Sequence, residues 1–326
     1  MNDKSAPFLS IIVPVYNVED YLEETLTSIL VQNFDHWEVI SVNDGSTDSS
    51  GELLDFFGEK DDRINVYHRD NYGLSATRNF GLKKARGEFV YFLDSDDMIL
   101  DGVFAQANKM YSENEYQILV VSGEYIDEYG DKNSSYSPTI QPGYQTPRRG
   151  EKVFVEMFQR ASYTPLVLAY FFQRSFLENY SLLFDENYIH EDEAFTSMAL
   201  SLADRVVSTP DIYYQHRIRP NSIMTIEKSE KNIKGWTKAV SRMIEFINTA
   251  EIDESAKRVI KIRAKSLMNN TLLLIKKLNK NRNSSLSIGD YLSSEEIEHL
   301  GSLMKLKTKI PSIIELQRFF NLKKTV

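Results

Sequence analysis

The sequence predicts an α/β protein: a mixed, mainly parallel sheet flanked by helices, with an all-helical C-terminal part. Three observations predict it. Short β-branched and aromatic runs alternate with segments of helical period from Leu9 to Leu93, the pattern of a parallel sheet covered by helices. Three carboxylates, Asp94, Asp96 and Asp97, crowd together where one of those runs should end. Past Thr225 the strand signals stop and helical period takes over, which sets a boundary between an α/β body at 1–225 and a helical part at 226–326.

Leu9–Val13 reads as the first strand, stopped by Pro14. Asn17 reads as the cap of a helix whose apolar positions are Val18, Tyr21, Leu22, Leu26, Ile29 and Leu30. Trp37–Val42 is a second strand running into the turn Asn43–Asp48; Leu53, Leu54 and Phe57 mark a short helix, and Ile64–Tyr67 a third strand. Leu74–Ala85 reads as a helix with Gly87 suited to its C-terminal cap, and Glu88–Leu93 as the strand that delivers Asp94. A helix over 101–112 and a strand over Tyr116–Val121 follow. Gly123–Gly150, rich in Tyr, Ser, Asp, Pro and Gly, reads as a long irregular excursion, and such excursions are usually functional or disordered. Glu151–Arg160, Ser175–Tyr180 and Glu191–Leu202 read as helices, and Arg205–Ser208 and Ile212–Tyr214 as short strands. The helical part is expected at 229–250, 253–279, 293–305 and 311–322, with Asn279–Ser287 as a polar linker.

A chain of 326 residues, 42% hydrophobic and 26% charged, has the composition of a soluble globular protein. No apolar run reaches the length of a membrane span, and Met1-Asn-Asp-Lys-Ser is unlike a secretory signal, so a cytoplasmic location is expected. Cysteine is absent, which excludes disulfides, zinc–thiolate sites and a cysteine nucleophile. The net charge of −9 is unevenly spread: residues 221–326 carry 20 Lys+Arg against 11 Asp+Glu, and residues 1–220 carry 18 against 36. An acidic body does not suit nucleic acid, whereas the basic end is either a face for an anionic surface or a solvated helical surface.

Like charges packed as closely as Asp94, Asp96 and Asp97 are costly to hold at a strand tip unless a cation neutralises them. Mg²⁺ and Mn²⁺ take such oxygen ligands, and Mg²⁺ keeps positions open for substrate phosphates. The other reading of the run is an acidic turn capping the next helix. Sheets of this kind bind ligands outside the carboxyl ends of their strands. Pro14–Asn17, Asn43–Asp48 and Asp94–Asp97 all fall at such ends, so the fold should gather them.

Ile12-Val-Pro-Val-Tyr-Asn17, Val42–Asp48, Gly73–Gly81 and Gly87–Asp97, followed by His190-Glu-Asp-Glu193 and Tyr213–Thr225, resemble family 2 glycosyltransferases, in order over about residues 8–225. The resemblance implies an A-type glycosyltransferase (GT-A, Rossmann-like) fold. It also implies inverting transfer of a hexose or N-acetylhexosamine from a nucleotide sugar, usually a UDP-sugar, with Mn²⁺ or Mg²⁺ as cofactor. By the same resemblance Pro14, Tyr16 and Asn17 belong to the nucleotide site, with Tyr16 stacking on uracil, and Asp44 accepts the uracil N3–H. Arg78 lies near the diphosphate, Asp94 near the ribose with Ser95 beside it, and Asp96, assisted by Asp94, holds the metal. Asp97 either joins them or caps the following segment. Asp192 is the implied general base and Glu191 a supporting or acceptor-contact residue. His216 and Arg217 fall where the family closes a loop over the diphosphate. Asn43 replaces a family Asp and takes no assigned role.

A single set of motifs without a membrane-spanning tail points to single sugar additions onto a saccharide or lipid-linked saccharide in cell-surface polysaccharide synthesis, rather than processive polymerisation. The basic Lys305–Lys309 and the apolar stripe of Ile310–Phe320 read either as a peripheral membrane contact or as packing against the body or a sister subunit. Two other function classes are a sugar-nucleotide nucleotidyltransferase and a non-catalytic nucleotide-sugar-binding module. The first usually opens on a Gly-rich basic phosphate loop, which Ile11–Asn17 is not; the second should lack the base that Asp192 supplies.

Overall fold

Leu9–Val15 (β1) is buried along its whole length and apolar but for Ser10, whose hydroxyl donates to Glu38, as suits a strand covered on both faces. In the computed structural model, which describes residues 6–220, 222, 224–282, 286–293 and 296, it is central to a parallel block. β2 (Trp37–Asp44) pairs with one side, β3 (Ile64–Arg69) lies beyond β2, and β4 (Phe89–Phe92) pairs with the other side. The crossovers carry α1 (Leu22–Leu30), α2 (Ser50–Lys60) and α3 (Leu74–Lys84). Then come β5 (Met98–Ile99), α4 (Val103–Glu113), β6 (Ile118–Ile126), β7 (Tyr144–Arg148), α5 (Gly150–Gln159), β8 (Tyr170–Gln173), α6 (Arg174–Asn179), α7 (Asp192–Leu202) and β9 (Val206–Arg217).

The sheet order is β3-β2-β1-β4-β8-β6-β9-β5, with β7 paired to β9. β8 is antiparallel to both β4 and β6, so β6 runs in the same direction as β4; β9 is parallel to β6. The carboxyl ends of β1, β2, β3, β4, β6 and β9 therefore share one edge. That arithmetic of direction is what carries His216 and Arg217 to Asp94–Asp97, more than a hundred residues earlier in the chain.

Six local expectations change. Pro14 does not stop the first strand: β1 runs through it and pairs on to Val15, opposite Val42 and Asn43. Asn17 caps no helix: its φ is 50°, and its Oδ1 accepts from the Thr47 N–H at 2.8 Å, while α1 starts only at Leu22. Gly87 is not a helix cap either. It lies past the end of α3, where a Cβ would strike the Ser10 backbone. Gly123–Gly150 is not wholly irregular, since β6 extends to Ile126 and β7 follows. β8 was not anticipated. The two short strands expected over 205–214 are one, because Pro210 sits in a bulge: between Val120↔Ser208 and Ser122↔Ile212 the chain of β9 arches outward and resumes pairing.

α8 (Glu230–Thr249) and α9 (Glu254–Arg282) pack on each other and on α5 and α7. Ile233, Trp236, Val240 and Met243 of α8, with Ile260 and Leu267 of α9, belong to the same hydrophobic core as the sheet. Among the described residues no helix is long and apolar enough to cross a membrane. The expected helices at 293–305 and 311–322, apart from residues 293 and 296, and the stretch Lys305–Phe320 lie outside the described residues.

Candidate active site

The end of β1 and the turn after β2 form one corner of the sheet edge. Pro14 lies within β1 opposite Val42, and Tyr16, just beyond the strand, leaves half its ring exposed. Asn17 binds the 43–48 turn through Thr47 and through Ser46, whose Oγ accepts the Asn17 N–H at 3.2 Å. Asp44 is buried. Its Oδ1 accepts from the Tyr72 N–H at 3.1 Å and its Oδ2 from the Gly73 N–H at 2.7 Å, and Arg69 Nε is 3.2 Å away. Asp44 thereby anchors the loop that starts α3, and a base edge would have to share an oxygen already engaged. Asn43 accepts from the Ser46 N–H and lies 3.0 Å from His68 Nδ1, which fixes the same turn.

At the tip of β4 every carboxylate meets a cation or a buried donor. Asp94 Oδ1 accepts from Arg78 Nη2 at 2.5 Å, and Asp96 Oδ2 from Arg219 Nε at 2.7 Å. Ser95 is buried and its carbonyl accepts from Thr25 on α1. Asp97 is fully buried, accepting from the Arg217 N–H and bonded to His216 Nδ1, each at 2.8 Å. Burial pushes Asp97 up to about 6 despite the opposing pull of His216. Burial alone would lower His216, but Asp97, with Asp96 and Asp94 behind it, outweighs that and raises the ring to about 9. Asp97 is thus tied into β9. Arg217 is also tied down: its side chain is 1% exposed, pairs with Glu24 at 2.5 Å and donates to the carbonyls of Asp96, Asp127 and Glu128. Neither it nor His216 overhangs the edge as a free cation. Arg219, which motif reading passed over, is the cation at Asp96, and its guanidinium lies 5.0 Å from the Tyr21 ring centroid. Its signal was present: on an extended chain, 219 faces the same way as 217.

The start of α7 reaches the same edge from the other side. Arg78, buried on α3, donates through Nη1 to Glu191 Oε1 at 2.5 Å and through Nη2 to Asp94, so one guanidinium joins both acidic runs. Those two carboxylates outweigh the cost of burial and raise the pKa of Arg78. Burial raises Glu191 in spite of Arg78. Asp192 is partly exposed and, among the described residues, forms no ion pair. Burial first, then the Glu191 and Glu193 charges, hold its carboxyl well above the ordinary aspartate range. Glu193 turns inward to Arg263 on α9, a buried partner that sequence reading also missed. A charged residue amid the apolar positions Ile260, Ala264 and Leu267 was its signal.

Asp94 and Asp96 present hard oxygen donors at a partly open edge, with side chains 28% and 18% exposed and one oxygen of each held by an arginine. That set suits Mg²⁺ or Mn²⁺ rather than a softer metal. Among the described residues no three ligating side chains converge, so a cation there would complete its shell from phosphate or water.

Comparison with known proteins agrees with this geometry. The sequence model of glycosyl transferase family 2 matches residues 10–176. The glycosyltransferase EpsJ of Bacillus subtilis (strain 168), itself uncharacterized, is 32% identical over 243 residues, which is 74% of this chain and 70% of EpsJ. TarS of S. aureus, solved in complex with UDP-GlcNAc, superposes with a TM-score of 0.64 at 23% identity, covering 90% of this chain and 79% of that one. The mannosyltransferase PcManGT of Pyrobaculum calidifontis, solved with GDP-Man and Mn²⁺, gives 0.55 at 16% identity, covering 92% and 85%. At these identities the two structures speak for the GT-A fold alone. The family match and the EpsJ relationship go further: this chain belongs to glycosyl transferase family 2 and is a glycosyltransferase.

Proposed function

We propose that this enzyme transfers a hexose or N-acetylhexosamine from a UDP-sugar, with inversion, to a hydroxyl of a saccharide or lipid-linked saccharide during cell-surface polysaccharide synthesis. The observation that carries the reading is Arg78, which binds Asp94 on the diphosphate side and Glu191 beside the base with the same guanidinium. A leaving group bound at the Asp94 side and a base beside Glu191 would then be held at a fixed spacing by that one guanidinium. Tyr16 offers an exposed ring for base stacking. The UDP-GlcNAc bound to TarS supports a UDP-sugar, and the Mn²⁺ of PcManGT supports a divalent cation.

Each residue then has a task. Asp192 takes the acceptor hydroxyl's proton as that oxygen attacks the anomeric carbon; Glu191 holds the first turn of α7 against Arg78. Arg219 would place positive charge beside the leaving diphosphate, and Arg78 would act from beneath by holding Asp94 and Glu191 in place. A divalent cation held by Asp96 with Asp94 would supply Lewis-acid stabilisation of that leaving group. The α/β body of 1–225 carries the chemistry, and α8 and α9 support it by packing on α7 and α5. A lipid-linked acceptor would place the enzyme at a membrane surface, and the basic residues of its C-terminal sequence would suit an anionic one.

A panel of UDP- and GDP-sugars with Mn²⁺, Mg²⁺ or EDTA, assayed for release of the nucleoside diphosphate, tests this. UDP release from one UDP-sugar, abolished by EDTA, is expected. Release only from GDP-sugars would overturn the donor assignment, and full activity in EDTA the cation assignment.

A further inference from the structure

The C-terminal helices meet the acidic turn at four points. Glu193 is bound by Arg263 of α9 through two bonds, Nε to Oε2 at 2.8 Å and Nη2 to Oε1, with both side chains almost fully buried. His190, at φ 66°, stacks on Trp236 of α8 with ring centroids 5.1 Å apart and 17° between planes. Its Nε2 lies 3.1 Å from the amide nitrogen of Asn232, which can only donate, so the ring is neutral; burial holds it down at about 4. The fourth contact is Ile189, whose carbonyl lies against Gly235 so closely that a Cβ there would overlap it. Within the body, Tyr163 bonds Thr196, whose hydroxyl donates to the Asp192 carbonyl at 2.8 Å.

We infer that the Glu193–Arg263 pair is a positioning device for Asp192, by which α9 sets the direction and the charge surroundings of the base. This rests on the reading of Asp192 as base. Two physical points support it. A buried ion pair is a poor source of stability, because desolvation of two charges consumes most of the attraction; a pair of this kind is better explained by the orientation that it fixes. Its position also matters, since Glu193 follows Asp192 directly and the bidentate fork fixes the first turn of α7 in rotation as well as in distance. Asp192 then stands between two neighbours that are each held by an arginine, Glu191 by Arg78 from α3 and Glu193 by Arg263 from α9, while their charges still act on it.

The charged and titratable groups facing Asp192 are Glu191 and Glu193 on α7, Arg78 on α3, Asp94 after β4, Arg263 on α9, and Tyr163 and Tyr170 from the segment around β8. Glu193→Gln removes an anion that raises Asp192 and takes from Arg263 the carboxylate that it grips, so its charge acts more strongly on Asp192. Both changes favour the charged base, so the acidic limb of the kcat–pH profile should move to lower pH. The plateau of kcat should fall roughly 10–100-fold, the cost typical of losing a residue that orients a functional one. Donor affinity, read by UDP titration, should not change. Glu193→Gln with Arg263→Met removes both charges, so the limb should return toward its original position while the plateau stays low. A structural pair would instead alter thermal stability with the pH profile unmoved.

Asp192→Asn is measured alongside. Normal turnover in Asp192→Asn would sink the base assignment itself. Loss of turnover in Asp192→Asn, with wild-type plateau and limb in Glu193→Gln, would overturn the positioning inference alone. Failure of both Glu193 variants to fold would assign the pair to structure and overturn it equally.

Discussion

Two of the chain's acidic runs meet at the site, one after β4 and one at the start of α7, and the fold treats them differently. After β4 each acid is satisfied: Asp94 by Arg78, Asp96 by Arg219, Asp97 by His216 and the backbone of β9. At α7 the outer two are satisfied, Glu191 by Arg78 and Glu193 by Arg263, and the middle one, Asp192, has no ion pair among the described residues and a raised pKa. A binding edge needs charges held in fixed positions that a ligand can exchange for its own. A base needs a carboxylate whose proton affinity is high enough to be useful, which neutralising it would defeat. The same chemical group therefore serves two tasks, and whether a cation or buried donor bonds it directly decides which.

The sharpest way to break that comparison is Asp192→Asn, which keeps shape and removes the basic oxygen. Turnover should fall on the order of 10²–10⁴-fold, the range for loss of a general base, with UDP binding retained. Near-normal turnover would make the two acidic runs equivalent and move the base to Glu191. In the wild type, a base whose pKa is raised must still be ionised to act, so the rate should decline as pH falls through a value well above that of a free aspartate. A profile flat down to the ordinary aspartate range would contradict this.

Next in size is Arg78→Met, which strikes both runs at once. It leaves Glu191 buried without its cation, and breaking a buried pair in this way costs about 3–5 kcal/mol. Denaturant melts should show that loss at neutral pH and less of it in acid. The sign follows from the carboxylate: without Arg78 the folded-state pKa of Glu191 rises further, so the variant gains relative stability as pH falls and the acid protonates. An equal penalty at all pH values would mean that Arg78 acts through packing.

Much of the molecule was legible because burial on both faces leaves runs dominated by apolar residues, as in β4 and, with one serine, in β1. β8 was missed because Tyr-Phe-Phe-Gln is four residues long and runs directly into α6, so length could not decide between strand and helix. β9 was split because Pro210 usually ends a strand, and only the pairing of β6 shows the bulge. In the site, the acids announced themselves by crowding. Their partners did not, since ion pairing is non-local: Glu24 and Arg217 meet across 193 positions and Asp96 and Arg219 across 123. Arg219 lay within a recognised stretch but was overlooked beside Arg217, whose own role here is to lock β9 to carbonyls. The helical part offered no motif, so its contacts with 189–193 came only from the fold.

A further test addresses the edge after β4. In Asp96→Asn the cation-dependent part of UDP affinity should be lost, so that titrations with Mn²⁺ and with EDTA converge, while cation-free binding is kept. Arg219 loses its partner in this variant, and a surface ion pair of this partly exposed kind contributes at most about 1 kcal/mol, so stability should barely change. Persistent dependence on cation would place the metal on other ligands.

The smallest effect asked for is at Gly235→Ala, and it tests whether the two acidic runs are built independently. On propensity alone alanine should stabilise α8 by about 1 kcal/mol, because glycine is the poorer helix former. The space says otherwise: the added Cβ would overlap the Ile189 carbonyl, a backbone atom that cannot swing aside as a side chain could. Relief requires α8 to shift from the 189–190 segment, and overpacking of this sort costs about 1–3 kcal/mol, so the net change should be mildly destabilising. Because Ile189 and His190 lead directly into Glu191 and Asp192, the shift reaches the base and not the tip of β4. The expected outcome is a reduced kcat with unchanged UDP affinity, read by steady-state kinetics and UDP titration on the same preparation. If alanine stabilises the protein and leaves kcat alone, α8 does not buttress the turn; if UDP affinity falls in step with kcat, the two acidic runs respond as one body through Arg78.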